Sequence, residues 1–497
     1  MQKTRIRHPH RASRHRFHHH SSVPTCRYGG GGDHGLPRLL GLLRSAPADV
    51  SSVSRPARPW WFLIDTRSRS GISAQPGRQP IPSVDAHRLD VDAHGRISGV
   101  DVARCVAIVW MFVAHVGPDP REGGWATVLW AGTGREAALF AILAGVSLTL
   151  SYGYPPRPPI RGDRLGHVAP RIVSRVLFRA AVLMSVGLAL ASLDSGIAVI
   201  LPSFALYFVV AVPALWARTR TLCLVALGWA LAAPPVSMAL RGSLDLYWVG
   251  YRVPDLGDLG DPGDMAAALF LCGNYPVITW MPFVLAGVLL GRLDLTRLRT
   301  MRLLSLAGAL AAFLGYGCSW LAVEVFGGRE RMRLSVDRIR PGSSISEPLA
   351  GFRGAVPTDD VSWLLVAEGH TGTSFEIVGA LGVGSAVLGL CLLLCRLPGA
   401  RRWTGAPAAM GAMSLSVYAA HLIAAWSPWT RGPGSWTRLA AFTLVGLALA
   451  WLWRRYVGRG PLEWLMGLPA TARRAGDRAP AKPDPTRDAR HPSGPAS

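Results

Sequence analysis

The chain has 497 residues, half of them hydrophobic, only 17% charged, with a mean hydropathy of +0.26. That balance argues against an ordinary soluble enzyme and for an integral membrane protein whose charges lie outside its apolar runs. The net charge of +23 raises nucleic-acid binding, but it sits in the tails and between hydrophobic segments, so it reads as topological and no nucleic-acid partner is expected.

In chain order, residues 1–90 read as a disordered basic tail, opening on the histidine-rich "RIRHPHRASRHRFHHH". An over-extended start would account for it, and finding Met1 by sequencing the native N-terminus would overturn that expectation. Ten apolar runs follow, near 102–117, 134–152, 173–193, 197–216, 221–240, 270–291, 302–326, 373–395, 410–427 and 436–457. Most have the length a helix needs to cross about 30 Å of hydrocarbon. A second polar tail begins near Thr471. The expected fold is therefore an all-α, polytopic membrane bundle of about ten transmembrane helices over residues 96–466, with a tail at 471–497. No broken-helix pair or inverted repeat is evident.

Arginine placement sets orientation. Arg157, Arg161, Arg164, Arg171 and Arg175, then Arg218 and Arg220, then Arg292, Arg297, Arg299 and Arg302, then Arg396, Arg401 and Arg402, then Arg454 and Arg455 occupy alternate loops. Together with both termini, they are assigned to the cytoplasmic side. One segment disagrees: "RERMRLSVDRIR", Arg329 to Arg340, falls on the outer side. The seven cysteines are scattered without metal-ligand spacing, and read as core packing. No metal site is expected.

Ionisable residues at membrane depth carry the functional candidates, because burying them is costly. In "GVDVARCVAIVWMFVAHVGP", a helical period places Arg104 and His115 about 20° apart, with Asp101 within roughly 60° of both. Arg104 and His115 stand about 16 Å apart along the axis. The stripe is either a functional one or a capping ion pair plus an interfacial histidine. Arg135 and Glu136 open the second run, where an exposed ion pair is the simpler reading. "EGHTGTSFEIVG" brings His370 and Glu376 to one membrane face, which suits general acid–base work or a helix cap. His421 lies mid-span, and a bond to a neighbouring helix explains it. Arg171, Arg175 and Arg179 recur every four residues, a spacing fit for phosphates or for topology alone. Gly145 and Ser147 suit close helix packing.

The segments "DVARCVAIVWMFVAH", "LFAILAGVSLTL", "NYPVITWMPFVLAGVLLGR", "HTGTSFEIVG", "MSLSVYAAH" and "GPLEWLM" resemble the bacterial relatives of the heparan-α-glucosaminide N-acetyltransferase catalytic-domain family. The resemblance runs from Arg96 to Met466. It implies transfer of an acyl group from cytoplasmic acetyl-CoA to an amine or hydroxyl of a small-molecule or glycan acceptor at the outer face of the plasma membrane. It further implies an acyl-handling histidine near the outer end of the first helix, which only His115 fits. On that footing His115 is read as nucleophile or general base, with His370 and Glu376 orienting the acceptor and Asp101, Arg104, Arg175 and Arg292 on the donor side. Two positions depart from the family pattern: Cys105 stands where glycine follows the arginine, and no histidine lies between 116 and 134. A transporter or export protein is the rival class. The lipid bilayer is the expected partner, and a homo-oligomer is compatible with the sequence.

Overall fold

The structure, a computed structural model, describes residues 96–130, 132–152, 163–244, 246, 253–339, 354–428 and 432–468. The expected tails at 1–90 and 471–497 lie outside the described residues. Where water is absent, backbone amides must bond within their own segment. The apolar runs accordingly become helices: α1 (Ser98–Val116), α2 (Trp125–Trp130), α3 (Arg135–Tyr152), α4 (Asp163–Ala191), α5 (Leu201–Ala211), α6 (Thr219–Ser243), α7 (Pro262–Ala267), α8 (Val277–Leu290) and α9 (Leu298–Trp320). The remainder are α10 (Gly328–Ile339), α11 (Ser374–Cys395), α12 (Arg401–Ala412), α13 (Ser414–Trp426), α14 (Trp436–Tyr456) and α15 (Pro461–Leu465). Their starts carry the expected local chemistry. Proline occupies the first turn of α5, α7 and α15. Thr373 and Ser435 accept first-turn amides of α11 and α14.

Among the described residues seven helices, some prolonged by adjacent turns, are long and apolar enough to cross a membrane, and two bent pairs raise the number to nine. The run at 197–216 forms the shorter apolar helix Leu201–Leu215. The bent pairs correct the expectation of unbroken helices. α7 and its π-helical continuation meet α8 at 56°, across a break of four residues, Gly273 to Pro276, where Pro276 has no N–H to continue a ladder. α12 meets α13 at 74°, across the single residue Met413, whose φ of −114° and ψ of 28° leave helical geometry.

Small residues set how closely the helices approach. Gly308 and Gly315 of α9 face Gly382, Ala386 and Gly379 of α11, backbone against backbone. Gly145 of α3 faces Gly287 of α8, and Gly411 of α12 lies on the Asp101 carbonyl of α1. This is the packing that bilayers favour, because lipid offers apolar side chains no incentive to leave it. α9 and α14 bury little of their surface, 17% and 6% of their apolar windows, and so form the outer, lipid-facing side.

The two ends of the bundle differ in charge. Gly99 packs on Leu392, Gly291 on Thr149, and Arg292 bonds Ala214 and Ala217. These contacts gather the ends that carry Arg218, Arg220, Arg292 and Arg396 at the Asp101 end of α1. The discordant arginine segment becomes α10 at the opposite end. There Arg329 pairs with Glu324, Arg333 with Glu330 and Arg338 with Asp360. Paired arginines carry little net charge into the interface, which reconciles the segment with its position. Outside the spans, Asp294 is held below the usual carboxylate range, chiefly by the Thr296 hydroxyl, with Arg297 adding to it.

The close glycine contacts give a direct test. A methyl added at Gly382 would fall on the α9 backbone, whereas Gly228 has open space around it. Gly382→Ala should lower the melting temperature of the detergent-solubilised protein, by the equivalent of about 1–3 kcal/mol for overpacking. Gly228→Ala should leave it unchanged or raise it slightly.

Candidate active site

At the arginine end, the Asp101 carboxylate is buried, 5% exposed, and serves two guanidinium groups. Arg96 donates to it twice, at 2.9 and 2.7 Å. Arg104, one helical turn away, donates a third bond to it and a fourth to the Ser147 hydroxyl on α3. Ser147, read from sequence as a packing residue, is therefore the neutral acceptor that helps hold Arg104. The pair also locks α1 to α3.

Beside this cluster lies a cavity of about 610 Å³. Its polar wall carries Arg96, Arg104, Arg179, Arg454 and Arg459, with a single carboxylate, Glu463. Its apolar wall is built from Met111, Phe140, Leu148, Phe204, Phe208 and Tyr418. Glu463, on α15, has a defined task. Its carboxylate accepts the Leu415 and Ser416 amides at 2.8 and 3.1 Å and the Ser416 hydroxyl at 2.5 Å. It thus satisfies the N-terminus of α13 left open by the break at Met413.

Two residues of the apolar wall belong to the helices that carry histidines, though His115 and His421 do not themselves line the cavity. Met111 stands one turn before His115 on α1, and Tyr418 stands three residues before His421 on α13. His115 and His421 lie in parallel planes, 3° apart, with ring centroids at 5.4 Å and His115 Nδ1 3.2 Å from His421 Nε2. Phe112 and Tyr418 close around His421, with centroids at 5.4 and 5.1 Å. His421 is buried at 4% exposure; His115 is half-buried. The mid-span histidine does bond a neighbouring helix, as the simpler sequence reading has it, and its partner is the candidate reacting residue itself.

The opposite end unites the other two sequence clusters. His370 lies within electrostatic range of His115 and packs on Trp280 and Tyr275, with centroids at 5.8 and 5.4 Å. Its φ of +64° is uncommon for a residue with a side chain. Gly134, just before α3, packs against Gly369 and His370. That contact brings Arg135 and Glu136 beside the His370 loop. Arg135 donates to the Tyr316 hydroxyl at 3.1 Å and to the Thr133 carbonyl at 3.0 Å, and lies within electrostatic range of Glu376. Glu136 is buried, not an exposed end-of-helix pair, and its Oε2 has no hydrogen-bond partner among the described residues. Glu376 is buried at the start of α11, 2% exposed.

The donor-side arginines named from sequence divide. Arg104 lines the cavity. Arg175 does not, although the next residue on its face, Arg179, does; Tyr152 is within electrostatic range of both. Arg292 stands apart. It donates to the carbonyls of Ala214 and Ala217 at 2.6 and 3.0 Å and to the Thr219 hydroxyl, the work of a loop fastener. Arg96, Arg454, Arg459 and Glu463 were not singled out by sequence reasoning. Only their convergence in space marks them as site residues, since Arg96 precedes the first apolar run, Arg454 closes the last, and Arg459 and Glu463 follow it.

Residues 96–317, a little under half of the chain, match the family model described as Heparan-alpha-glucosaminide N-acetyltransferase, catalytic, and are similar to it. No curated protein sequence matches the chain. The matched segment contains Arg96, Asp101, Arg104 and His115. It ends before His370, Glu376, His421 and Glu463, which the fold brings to it.

The ion pair and the loop fastener should separate on mutation. Asp101→Ala leaves two guanidinium groups without their carboxylate, and should cost about 3–5 kcal/mol, read as a fall in melting temperature. Arg292→Ala should also lower the melting temperature, while leaving ligand binding in the cavity at its wild-type affinity.

Proposed function

We propose that the protein is a membrane acyltransferase. It would take an acyl group, acetyl in the simplest case, from a coenzyme A thioester bound on the arginine side, and deliver it to an amine or hydroxyl acceptor on the histidine side. The observation that supports this reading best is the cavity. It is a single volume with arginines at one wall and aromatic and aliphatic side chains at the other, two of which, Met111 and Tyr418, precede His115 and His421 by about one helical turn. Guanidinium groups suit the phosphates of such a donor, and the apolar wall suits its pantetheine arm and acyl group. The donor contacts then fall to Arg96, Arg104, Arg179, Arg454 and Arg459, in place of Arg292.

In this reading His115 is the reacting group at the end of the donor cavity. His370 and Glu376, with Glu136, line the approach from the other side and orient the acceptor. The alternation of arginine-rich ends supports a cytoplasmic donor face and an outer acceptor face, and a bacterial plasma membrane is the corresponding location. The rival reading, transport, draws on the two broken helices, a feature of transporter binding sites. Here the broken end of α13 is already satisfied by Glu463, which favours the transferase.

Coenzyme A at 100 times its Kd should stabilise the purified protein by about 2.7 kcal/mol. Arg454→Ala should weaken that effect by about tenfold in Kd, the size of one lost charged hydrogen bond. Absence of any shift with coenzyme A, together with stabilisation by an ion or solute, would overturn the transferase in favour of transport. His115→Ala should abolish acyl transfer and preserve the shift; undiminished transfer would exclude the histidine mechanism.

A further inference from the structure

We infer that His421 is a positioning residue that fixes the tautomer of His115, so that the two form a histidine dyad with His115 Nε2 as the reacting atom. This rests on the acyltransferase reading for its chemistry, but not for its geometry.

Two neutral imidazoles that meet nitrogen to nitrogen at 3.2 Å must divide their roles, one ring donating an N–H and the other accepting it. The surroundings decide which. His421 Nε2 is the atom that meets His115, and its Nδ1 is buried without a hydrogen-bond partner among the described residues. The backbone groups acting on the ring are the carbonyls of Val417 and Tyr418, four and three residues earlier on its own helix. Carbonyls are acceptors only, so the proton of His421 belongs on Nδ1, and its Nε2 presents a lone pair to His115. His115 Nδ1 must then carry a proton, leaving its Nε2 with the lone pair. The asymmetry in exposure agrees: the acceptor ring is buried among Phe112, Tyr418 and His115, and the ring with the reactive nitrogen is the more open one. A neutral imidazole here does what a buried carboxylate does for the histidine of a serine-hydrolase triad.

The dyad accounts for every proton in the transfer. As the acceptor's nitrogen or oxygen bonds to the thioester carbonyl carbon, His115 Nε2 takes the acceptor's proton. The carbon–sulfur bond breaks, and the thiolate of coenzyme A leaves with the electron pair. The proton then passes from Nε2 to that sulfur. Throughout, the Nδ1 proton stays on His115 and is held by His421 Nε2, so the ring neither turns nor changes tautomer between the two transfers.

The wild-type protein provides the first test. ¹⁵N spectra of histidine-labelled protein should show His115 in the Nδ1–H form, and an Nε2–H form would overturn the dyad. Diethyl pyrocarbonate then reads the same lone pair chemically, with modification of His115 followed by mass spectrometry. Two replacements of His421 separate positioning from packing. Glutamine there keeps an acceptor for His115, while phenylalanine keeps a ring between Phe112 and Tyr418. His421→Gln should retain His115 reactivity within about threefold of wild type. His421→Phe should lower it tenfold or more, and should lower kcat for transfer with little change in KM. Rescue by phenylalanine and loss with glutamine would show that His421 only fills space, and would overturn the proposal. Neither the spectra nor the modification rate needs donor or acceptor. A failed dyad therefore leaves coenzyme A binding intact, and a failed transferase reading leaves the tautomer result standing.

Discussion

The Asp101 carboxylate, held between Arg96 and Arg104, is the interaction on which the arrangement depends. A charge buried at the edge of a bilayer is tolerated only when it is paired and its remaining hydrogen-bonding capacity is met. Three guanidinium donations meet it here, and Ser147 takes what Arg104 has left. Because Ser147 lies on α3 and Asp101 on α1, the pairing fixes how these two helices stand. That in turn fixes where His115 stands relative to Glu136 at the other end of the same two helices. Electrostatic satisfaction at one face thus sets the placement of buried polar side chains at the other.

Between the two faces, helix contacts through glycine and alanine keep the backbones close, so the cavity is an exception to the packing and not a gap left by it. Large side chains are concentrated along its wall: Met111, Phe140, Phe204, Phe208 and Tyr418. Tyr418 also accepts the Ile200 amide through its hydroxyl, tying the entry of α5 to the helix that carries His421. The same residue therefore shapes the cavity, anchors a neighbouring helix and packs on the dyad. Few substitutions at Tyr418 would leave all three tasks intact.

Much of this was legible in the sequence, for reasons specific to membranes. Hydropathy marks a span because the bilayer leaves the backbone no choice, and each of the ten apolar runs is indeed helical. The stripe of Asp101, Arg104 and His115 was legible because helical period and rise are fixed, and the structure keeps all three on α1. What escaped was convergence between distant segments. Nothing local distinguishes Arg459 or Glu463 from other polar residues after a span, and Arg292 looks like a donor ligand until its carbonyl partners are seen. His421 was visible as an oddity, but its meaning lies in His115, 306 positions earlier. The break at Met413 carries no glycine or proline at the break itself, so no local signal divides α12 from α13.

That break shapes the candidate site from within the bilayer. A continuous helix through Met413 would carry no free amides, and nothing would then need Glu463. Bending by 74° creates a new helix start at membrane depth, whose amides must find an acceptor. The chain answers with the α15 carboxylate, which draws residues 458–467 over the polar wall of the cavity. The bend also turns α13 so that His421 arrives beside His115. One departure from regular helix thus places the second histidine, creates the demand for Glu463 and brings the last described segment against the site. The energetic cost of the break is offset locally by Glu463, and its structural consequence is the dyad.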